Sequence, residues 1–561
     1  MQKRSDIIAQ LQNDPKVDVL IIGAGINGIG TFRDLALNKV NVLLVDRADF
    51  CSGASTASSH MAHGGIRYLE NGEFRLVQEA VRERNRMIEN APHVVKPLPT
   101  IIPIFKFWSG LLNAPFKFLN LLDKPAERGA MVIKIGLIFY DSFTHKQKTV
   151  PTHEFFGRKK TLEMYPRLNQ DIKFTAKYYD GQILSPERYA IDLINDAEAE
   201  GNHAQALNYM PAIGRDGDKV VLKDLVSGEE IKVSAKVIIN AGGPWIDAVN
   251  KEMGIEEHYI GGTKGSHLVI DNPELRKAIG NEEFFFENKD GRIVLIFPFY
   301  DKCIIGTSDL PIEDADKARC TPEEEQYFID LVARVFPDIS IKPDQIVFRF
   351  TGVRPLEFSK AKTTGQITRD HSIKENKLGN VPVLSLVGGK WTSYRAFSEQ
   401  AADSALELLD LKRKKKTESL GIGGGKDYPK TEKDKAETIQ FVSEKTGVSK
   451  EEAAVLFDRY GTRCILVAHE IVRAGDHPLA SKPTWQKGEV EFLIDNEKPV
   501  HIEDLLLRRS TLAWLGEVDR GLIDELAGIF ADKLNWSRQQ KEDEVSRTIE
   551  HLKEFHGVVI K

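Results

Sequence analysis

The sequence predicts an α/β protein in three parts: a discontinuous Rossmann-like domain, an antiparallel β domain inserted into it, and an all-α domain towards the C-terminus. Three observations predict it. A buried strand, a glycine turn, a helix, a second strand and a terminal acid follow one another between Val17 and Asp46. Two further apolar strands end in glycines, at Gly242-Gly243 and Gly388-Gly389, far along the chain. Beyond about residue 430 the pattern changes to helical periodicity with capping signals.

In chain order, the polar stretch from Met1 to Pro15 reads as a short helix, and no signal-peptide cleavage pattern accompanies it, so export is not expected. Val17-Asp18-Val19-Leu20-Ile21-Ile22 is β-branched with almost no polar residue, as a strand buried on both faces of a parallel sheet requires. Gly23, Gly25 and Gly28 then fit GxGxxG, and Ile29 to Asn38 continues as a helix with Phe32, Leu35 and Ala36 on its apolar face. The strand Val40–Val45 ends at Asp46, at the distance expected of a ribose-binding carboxylate. Such glycines let backbone approach a pyrophosphate, and the helix N-terminus offers unpaired N–H groups and the positive end of its dipole.

Lys236 to Gly243 repeats the strand-to-glycine pattern, with Pro244 as the first residue of a helix Trp245–Asn250. Pro382–Val387 repeats it again, before Gly388-Gly389-Lys390 and a helix from about Thr392 to Leu409. Between these pieces the alternating runs Arg292–Phe299, Cys303–Thr307 and Gln345–Phe350 predict the antiparallel substrate domain. Leu411–Lys430 holds Arg413-Lys414-Lys415-Lys416 and Gly423-Gly424-Gly425, which no core is expected to accommodate, and reads as a linker. Ser449-Lys450-Glu451-Glu452 and Ser537-Arg538-Gln539-Gln540 are capping-box patterns, and Ile502–Leu515, Gly521–Leu534 and Glu542–Phe555 have helical periodicity. The expected division is 1–410, 411–430 and 431–561, without internal repeats.

A chain of 561 residues, 41% hydrophobic and 29% charged, has ample surface to bury a large core. Its 77 Lys and Arg against 83 Asp and Glu give a net charge of −6, which argues against nucleic acid as the main partner. Cys51, Cys303, Cys320 and Cys464 lie far apart with no CxxC pair and no zinc-type His spacing, so neither a disulfide framework nor a metal site is expected and a reducing compartment is.

Chemistry concentrates after Asp46. The run Ser52-Gly53-Ala54-Ser55-Thr56-Ala57-Ser58-Ser59-His60 can lie against a cofactor and donate hydrogen bonds to phosphate oxygens. His63-Gly64-Gly65-Ile66-Arg67-Tyr68-Leu69-Glu70 gathers a titratable imidazole, two glycines, an Arg and a Tyr. Taken alone, His63 could cap a carbonyl and Arg67 could pair with Glu70. These motifs occur in order with Gly352-Val353-Arg354-Pro355-Leu356, Ile367-Thr368-Arg369-Asp370 and Gly388-Gly389-Lys390-Trp391-Thr392-Ser393-Tyr394-Arg395. The set closely resembles the FAD-dependent, aerobic, quinone-linked glycerol-3-phosphate dehydrogenases of bacterial type, over nearly the whole chain.

The resemblance implies that the Rossmann-like domain binds FAD and that sn-glycerol 3-phosphate is oxidised to dihydroxyacetone phosphate. It further implies hydride transfer from C2 to flavin N5 and electron delivery to a membrane quinone. A phosphate dianion needs guanidinium and ammonium partners, and Arg67, Arg354, Arg369 and Lys390 supply four cations, with Tyr68 as a hydroxyl donor. Loss of the C2 hydroxyl proton needs a base: His267, in Gly265-Ser266-His267-Leu268, is the first candidate, and His63 the second, which could instead face the flavin. Neighbouring guanidinium groups would hold such a histidine neutral. Arg354 completes the expected catalytic set. The cofactor is expected to touch Gly23, Gly25, Gly28, Asp46, Ser55, Thr56, Ser58, Ser59, His63, Gly64, Gly242, Gly389, Lys390 and Thr392. The Gly388-Gly389-Lys390 turn opens a helix whose N-terminus suits negative charge on the reduced ring. No covalent flavin attachment pattern occurs, and the C-terminal part lacks the D-x-[DN]-x-[DN]-G calcium loop of mitochondrial relatives. The rival reading is a soluble glycerol-3-phosphate oxidase that reduces O2 to H2O2.

Phe105–Leu122 places Lys106, Ser109, Gly110, Asn113, Lys117 and Asn120 within a helical arc of about 100° and leaves an apolar face with Trp108, Phe116 and Leu119. This fits an interfacial amphipathic helix; the alternative is a helix packed on the protein's own core. The expected setting is cytoplasmic, peripheral to the inner face of the cell membrane, as a homodimer.

Overall fold

The computed structural model describes residues 2–66, 74–106, 130–144, 149–288, 293–359, 370–475 and 477–560. The three glycine-ended strands of the sequence lie side by side. β1 (Lys16–Ile22) pairs in parallel with β2 (Val42–Val45) and β10 (Glu230–Asn240). β18 (Val381–Val387) extends the sheet in parallel beside β10, and β7 (Ala204–Leu207) beside β2. The antiparallel β17 (Ser372–Leu378) closes one edge, and β8 (Ala212–Asp216) and β9 (Lys219–Lys223) fold onto the first half of β10. Ile22 is level with Asn240, and Asn240 with Ser385, so the three glycine turns emerge together at one end.

The uninterrupted apolar run of β1 has its reason in two cores. Val19 and Ile21 enter the one formed with helices Ile26–Leu37, Pro186–Glu198 and Tyr394–Leu408. Leu20 and Ile22 enter the other, with Ile7 and Leu11 of helix Arg4–Asn13. A polar side chain on either face would be buried.

Among the described residues the second sheet has ten strands. β15 (Leu310–Pro311), β11 (Thr263–Ile270), β14 (Lys302–Gly306), β13 (Ile293–Phe299), β12 (Glu283–Glu287), β4 (Val95–Ile104), β6 (Phe174–Ile183) and β3 (Met61–Ala62) follow in that order, with β16 (Ile346–Arg354) beside β11 and β5 (Glu154–Gly157) beside β6. All pairs are antiparallel except β12 with β4. The alternating runs of the sequence are β13, β14 and β16; β4, with Pro97, Pro99 and Pro103, carries no such signal. Those prolines fall outside Thr100 and Ile101, the two β4 residues that β12 pairs with.

One face of this sheet packs on helices Pro322–Val335 and Pro273–Ile279. Its other face shares a core with the C-terminal helices, where Val269, Phe297, Phe299 and Phe348 meet Phe457, Leu493, Leu506 and Trp514. The expected helix over 502–515 is instead one helical turn, Ile502–Asp504, then the π-helical turn Leu505–Arg509 and a run of turns. Ser537 completes its capping box with Gln540, while Ser449 caps by accepting from the Glu452 N–H.

The segment 411–430 corrects an expectation. Its glycines are packed rather than solvated: Gly423–Gly425 form a buried 3-10 turn, Ile422 N–H donates to Asn90 O at 2.8 Å, and Arg413 pairs with Asp34 at 2.6 Å, whereas Lys412 and Lys414 to Lys416 are exposed. A Cβ on Gly424 would lie 1.9 Å from Tyr460 O, so the glycines mark a close backbone crossing and not a flexible tether. Arg67, Tyr68, Arg369 and residues 107–122 of the amphipathic segment lie outside the described residues.

Candidate active site

A cavity of about 1510 Å³ lies between the glycine turns of the parallel sheet, one face of the second sheet and the C-terminal region. Its first wall is mostly backbone. Gly23 has φ +109°, and a Cβ on Gly28 would fall 2.0 Å from Gly23 O, so the turn closes only with glycine at both positions. Gly25 faces the cavity, ahead of a helix with no side-chain cap at its start. Asp46 accepts from the Ala24 N–H at 2.6 Å and from the Ala48 N–H at 2.9 Å, and burial pushes its carboxyl up to about 6. Gly242 and Gly243 line the same end, and Arg47 lies over the Trp245 ring at 4.2 Å.

The hydroxyl run divides its work. Ser55 Oγ accepts from Ile26 N–H at 2.9 Å, and its carbonyl accepts from Trp391 Nε1 at 2.8 Å. Thr56 donates to Glu187, and Ser58 Oγ accepts from His60 N–H at 3.3 Å. Ser59 Oγ lies 2.8 Å from Nε2 of His267, on the opposite wall. His63 lines the cavity while its N–H donates to Thr392 Oγ1 at 3.1 Å. Gly389 and Lys390 line it too; Gly389 has φ +95°, and a Cβ there would lie 2.6 Å from Asn27 Nδ2. Gly28, Gly64 and Thr392 stand behind the wall and hold the residues that form it.

The second wall is made of side chains. His267 on β11 faces Gly306 on β14 and Phe350 on β16, each directly opposite by register. A Cβ on Gly306 would fall 2.1 Å from the imidazole, and the Phe350 ring stacks on it at 4.6 Å and 2°. Burial first, then Arg354 and His60, hold the imidazole well below its usual value. Arg354, at the end of β16, lies across Gly265, donating to Asp309 Oδ1 at 3.1 Å, Thr307 Oγ1 at 3.0 Å and Ser308 O at 3.2 Å.

Several residues of this wall had no sequence signal. Asp180 accepts from Gly64 N–H at 2.8 Å, Tyr140 OH at 2.5 Å and Arg84 Nη1 at 3.3 Å, fixing the turn after His63. Glu283 borders the cavity fully buried; Thr100 Oγ1 donates to its Oε2 at 2.8 Å, its Oε1 has no hydrogen-bond partner among the described residues, and burial pushes the carboxyl up to about 8. Leu507, Arg508 and Trp514 bring the C-terminal region into the lining.

The first wall fits a dinucleotide. A close-approach glycine turn, an uncapped helix start and an acid at the end of β2 are the donor set for a pyrophosphate and an adenosine ribose. The cavity continues past that set to the His63 and Gly389 turns, which leaves length for a flavin ring.

Comparison with known proteins agrees. The family model described as "FAD dependent oxidoreductase" matches residues 18–395, and one described as "C-terminal domain of alpha-glycerophosphate oxidase" matches residues 415–541. A glycerol-3-phosphate dehydrogenase of Synechocystis is 30% identical, with 97% of this chain and 98% of the relative covered. The aerobic glycerol-3-phosphate dehydrogenase of Bacillus subtilis is 28% identical, with 93% and 92% covered. The solved glycerol-3-phosphate dehydrogenase of Bacillus halodurans complexed with FAD shares the fold, with a TM-score of 0.77 at 22% identity over 98% of this chain and 97% of that one. This chain, with FAD as its cofactor, is therefore an enzyme of the FAD-dependent oxidoreductase family and belongs among its glycerol-3-phosphate dehydrogenases.

Proposed function

We propose that the enzyme oxidises sn-glycerol 3-phosphate to dihydroxyacetone phosphate and passes the electrons to a membrane quinone. The observation that carries this reading is the facing of two walls across one cavity: a backbone cradle for FAD, and opposite it a neutral imidazole beside a guanidinium. FAD, when bound, supplies the acceptor for the hydride leaving C2. Arg354, pre-oriented by Asp309 and Thr307, binds the phosphate together with Lys390, Arg67, Arg369 and the hydroxyl of Tyr68. His267 receives the C2 hydroxyl proton on Nε2, where Ser59 yields its hydrogen bond to the incoming oxygen. A buried imidazole next to Arg354 is unprotonated near neutral pH, as a base must be. His63, which lines the cavity with its backbone fixed by Thr392, would face the flavin when FAD is bound.

The quinone reading is supported by the helix Ala130–Thr144, where Ile135 (45%), Ile138 (53%) and Phe139 (49%) are exposed on a very apolar sequence. Among the described residues no helix is long and apolar enough to cross a membrane; we place this exposed apolar face in the lipid interface. Attachment would be peripheral, from the cytoplasmic side. A second reading, an oxidase that reduces O2 to H2O2, is favoured by the match of residues 415–541 to the glycerophosphate oxidase C-terminal model.

Anaerobic titration of the FAD spectrum with sn-glycerol 3-phosphate tests the reaction: stoichiometric bleaching is expected, and an unchanged spectrum would overturn it. Reoxidation by a quinone analogue much faster than by oxygen favours the dehydrogenase; the reverse favours the oxidase.

A further inference from the structure

We infer that Trp514, in the C-terminal region, is a positioning residue for His267, and that it works by clamping the Phe350 ring on which the imidazole stacks. The inference rests on the reading of His267 as the base.

A catalytic imidazole is ordinarily oriented at both nitrogens, one towards the substrate and the other held by a carboxylate or carbonyl. His267 departs from this. Ser59 holds Nε2, but Nδ1 is buried and, among the described residues, has no hydrogen-bond partner. Among the described residues no polar group fixes the second edge of the ring, so its plane is set by packing. Gly306 leaves it room on one side, and Phe350 covers its face at 2°.

Phe350 is in turn held by Trp514, whose ring lies 4.8 Å away at 60°. Trp514 also meets Phe348 at 4.7 Å and His60 at 5.2 Å, and only 3% of it is exposed. Its own position is fixed at the polar end: Nε1 donates to Leu507 O at 2.9 Å. Leu507 belongs to the π-helical turn whose Arg508 and Arg509 bind Asp49, three residues from Asp46. The indole is therefore anchored to the cofactor side of the cavity and presses on the base side. A tryptophan at this place couples the C-terminal region to the orientation of the proton acceptor.

The same packing keeps water from the imidazole. Among the described residues, the charged and titratable groups that act on His267 are Arg354 on β16 and His60 in the loop after β2; β14 presents Gly306 to it, and the C-terminal region reaches it through the Phe350 ring that Trp514 holds. Loosening the stack admits water, which favours the protonated ring and raises its pKa.

The test uses the FAD-loaded full chain, with stopped-flow bleaching by sn-glycerol 3-phosphate measured against pH, together with FAD content and thermal midpoint. Trp514→Ala is expected to retain FAD, to slow bleaching about tenfold at saturating substrate with little change in apparent substrate affinity, and to move the acid limb of the rate profile up by about one pH unit. Trp514→Phe, which keeps a ring against Phe350, is expected to restore most of the rate and the original limb. Phe350→Leu provides a second route if Trp514→Ala folds poorly, and should move the limb in the same direction. An unshifted limb in Trp514→Ala or, where that variant does not fold, in Phe350→Leu overturns the inference. So does a Trp514→Phe variant as impaired as Trp514→Ala. His267→Asn separates the two failures: if it bleaches at the parent rate, the base assignment falls, whereas an inactive His267→Asn beside an unshifted Trp514→Ala removes only the role given to Trp514.

Discussion

The two walls of the cavity act through different parts of the chain. The cofactor wall presents backbone: glycine turns at Gly23, Gly25 and Gly389, a bare helix start, and one acid that itself binds two N–H groups. The opposite wall presents side chains taken out of water, an imidazole held low, a guanidinium held by Asp309 and a carboxyl held up near 8. The difference teaches which change damages each. The first wall should fail when any atom is added, and the second when shape is kept and chemistry is altered.

The largest effect is therefore expected from Gly28→Val, whose Cβ would meet Gly23 O at 2.0 Å. The purified variant should carry no FAD and show no activity; stoichiometric flavin absorbance in a folded Gly28→Val protein would break the contrast. Next comes His267→Asn, which keeps a polar side chain at the site and removes the base. Flavin content should stay at the parent level while bleaching slows by about 10²–10⁴-fold.

Arg354→Lys keeps charge and loses the planar fork, so kcat/KM for glycerol 3-phosphate should fall by about 10–100-fold, on the order of 1.5–3 kcal/mol. FAD content again should not move. A variant that loses flavin instead would mean that this wall also shapes the cofactor site.

Smaller still is the effect of Glu283→Gln, read as stability against pH. Its folded pKa, raised to about 8, lies above the unfolded value near 4.5, so the folded state keeps a proton that the unfolded chain releases. The contribution is fully present below about pH 4.5 and declines as pH rises towards 8, by on the order of a few kcal/mol. Glu283→Gln should flatten that decline, raising the thermal midpoint at pH 8 relative to the parent; parallel curves from pH 5 to 8 would contradict a buried neutral acid. The smallest effect on either wall should come from Ile138→Ser with Phe139→Ser, which lie outside both. Binding to anionic vesicles should weaken, with substrate bleaching unchanged.

The same division explains what could be read from the residues alone. Gly23 to Asp46 form their turn within one βαβ unit, and sequence spacing there is spatial spacing, so the cradle was legible. The neighbouring of β1, β10 and β18 was legible too, because each carries its own glycine ending. His267 and Arg354 were legible only through their motifs. The pairing of His267 with Gly306 and Phe350 is a matter of strand register, and no local pattern reports it. Asp180 and Glu283 lie in strands β6 and β12 with no motif around them, and their roles depend on Gly64, Arg84 and Thr100 from other elements. The glycines at 423–425 carried a true signal that composition alone reads in reverse: chain crossing and flexible tether use the same residue.

The order of strands in the parallel sheet also sets a timetable. β1 and β2 are complete by Val45, yet β10, the central partner of β1, begins only at Glu230, and β18 ends at Val387. At about 5–20 residues per second, roughly 20–70 s of synthesis separate Val45 from Val387. A nascent chain on the ribosome thus holds β1 and β2 without their central partner β10, while the strands of the second sheet are all encoded before β18 and await only the C-terminal helices that cover one face. The nucleotide cradle cannot close until Gly389 has been made, so a cell short of flavin meets the shortage only after about two thirds of the chain has been synthesised, with the C-terminal helices still to follow.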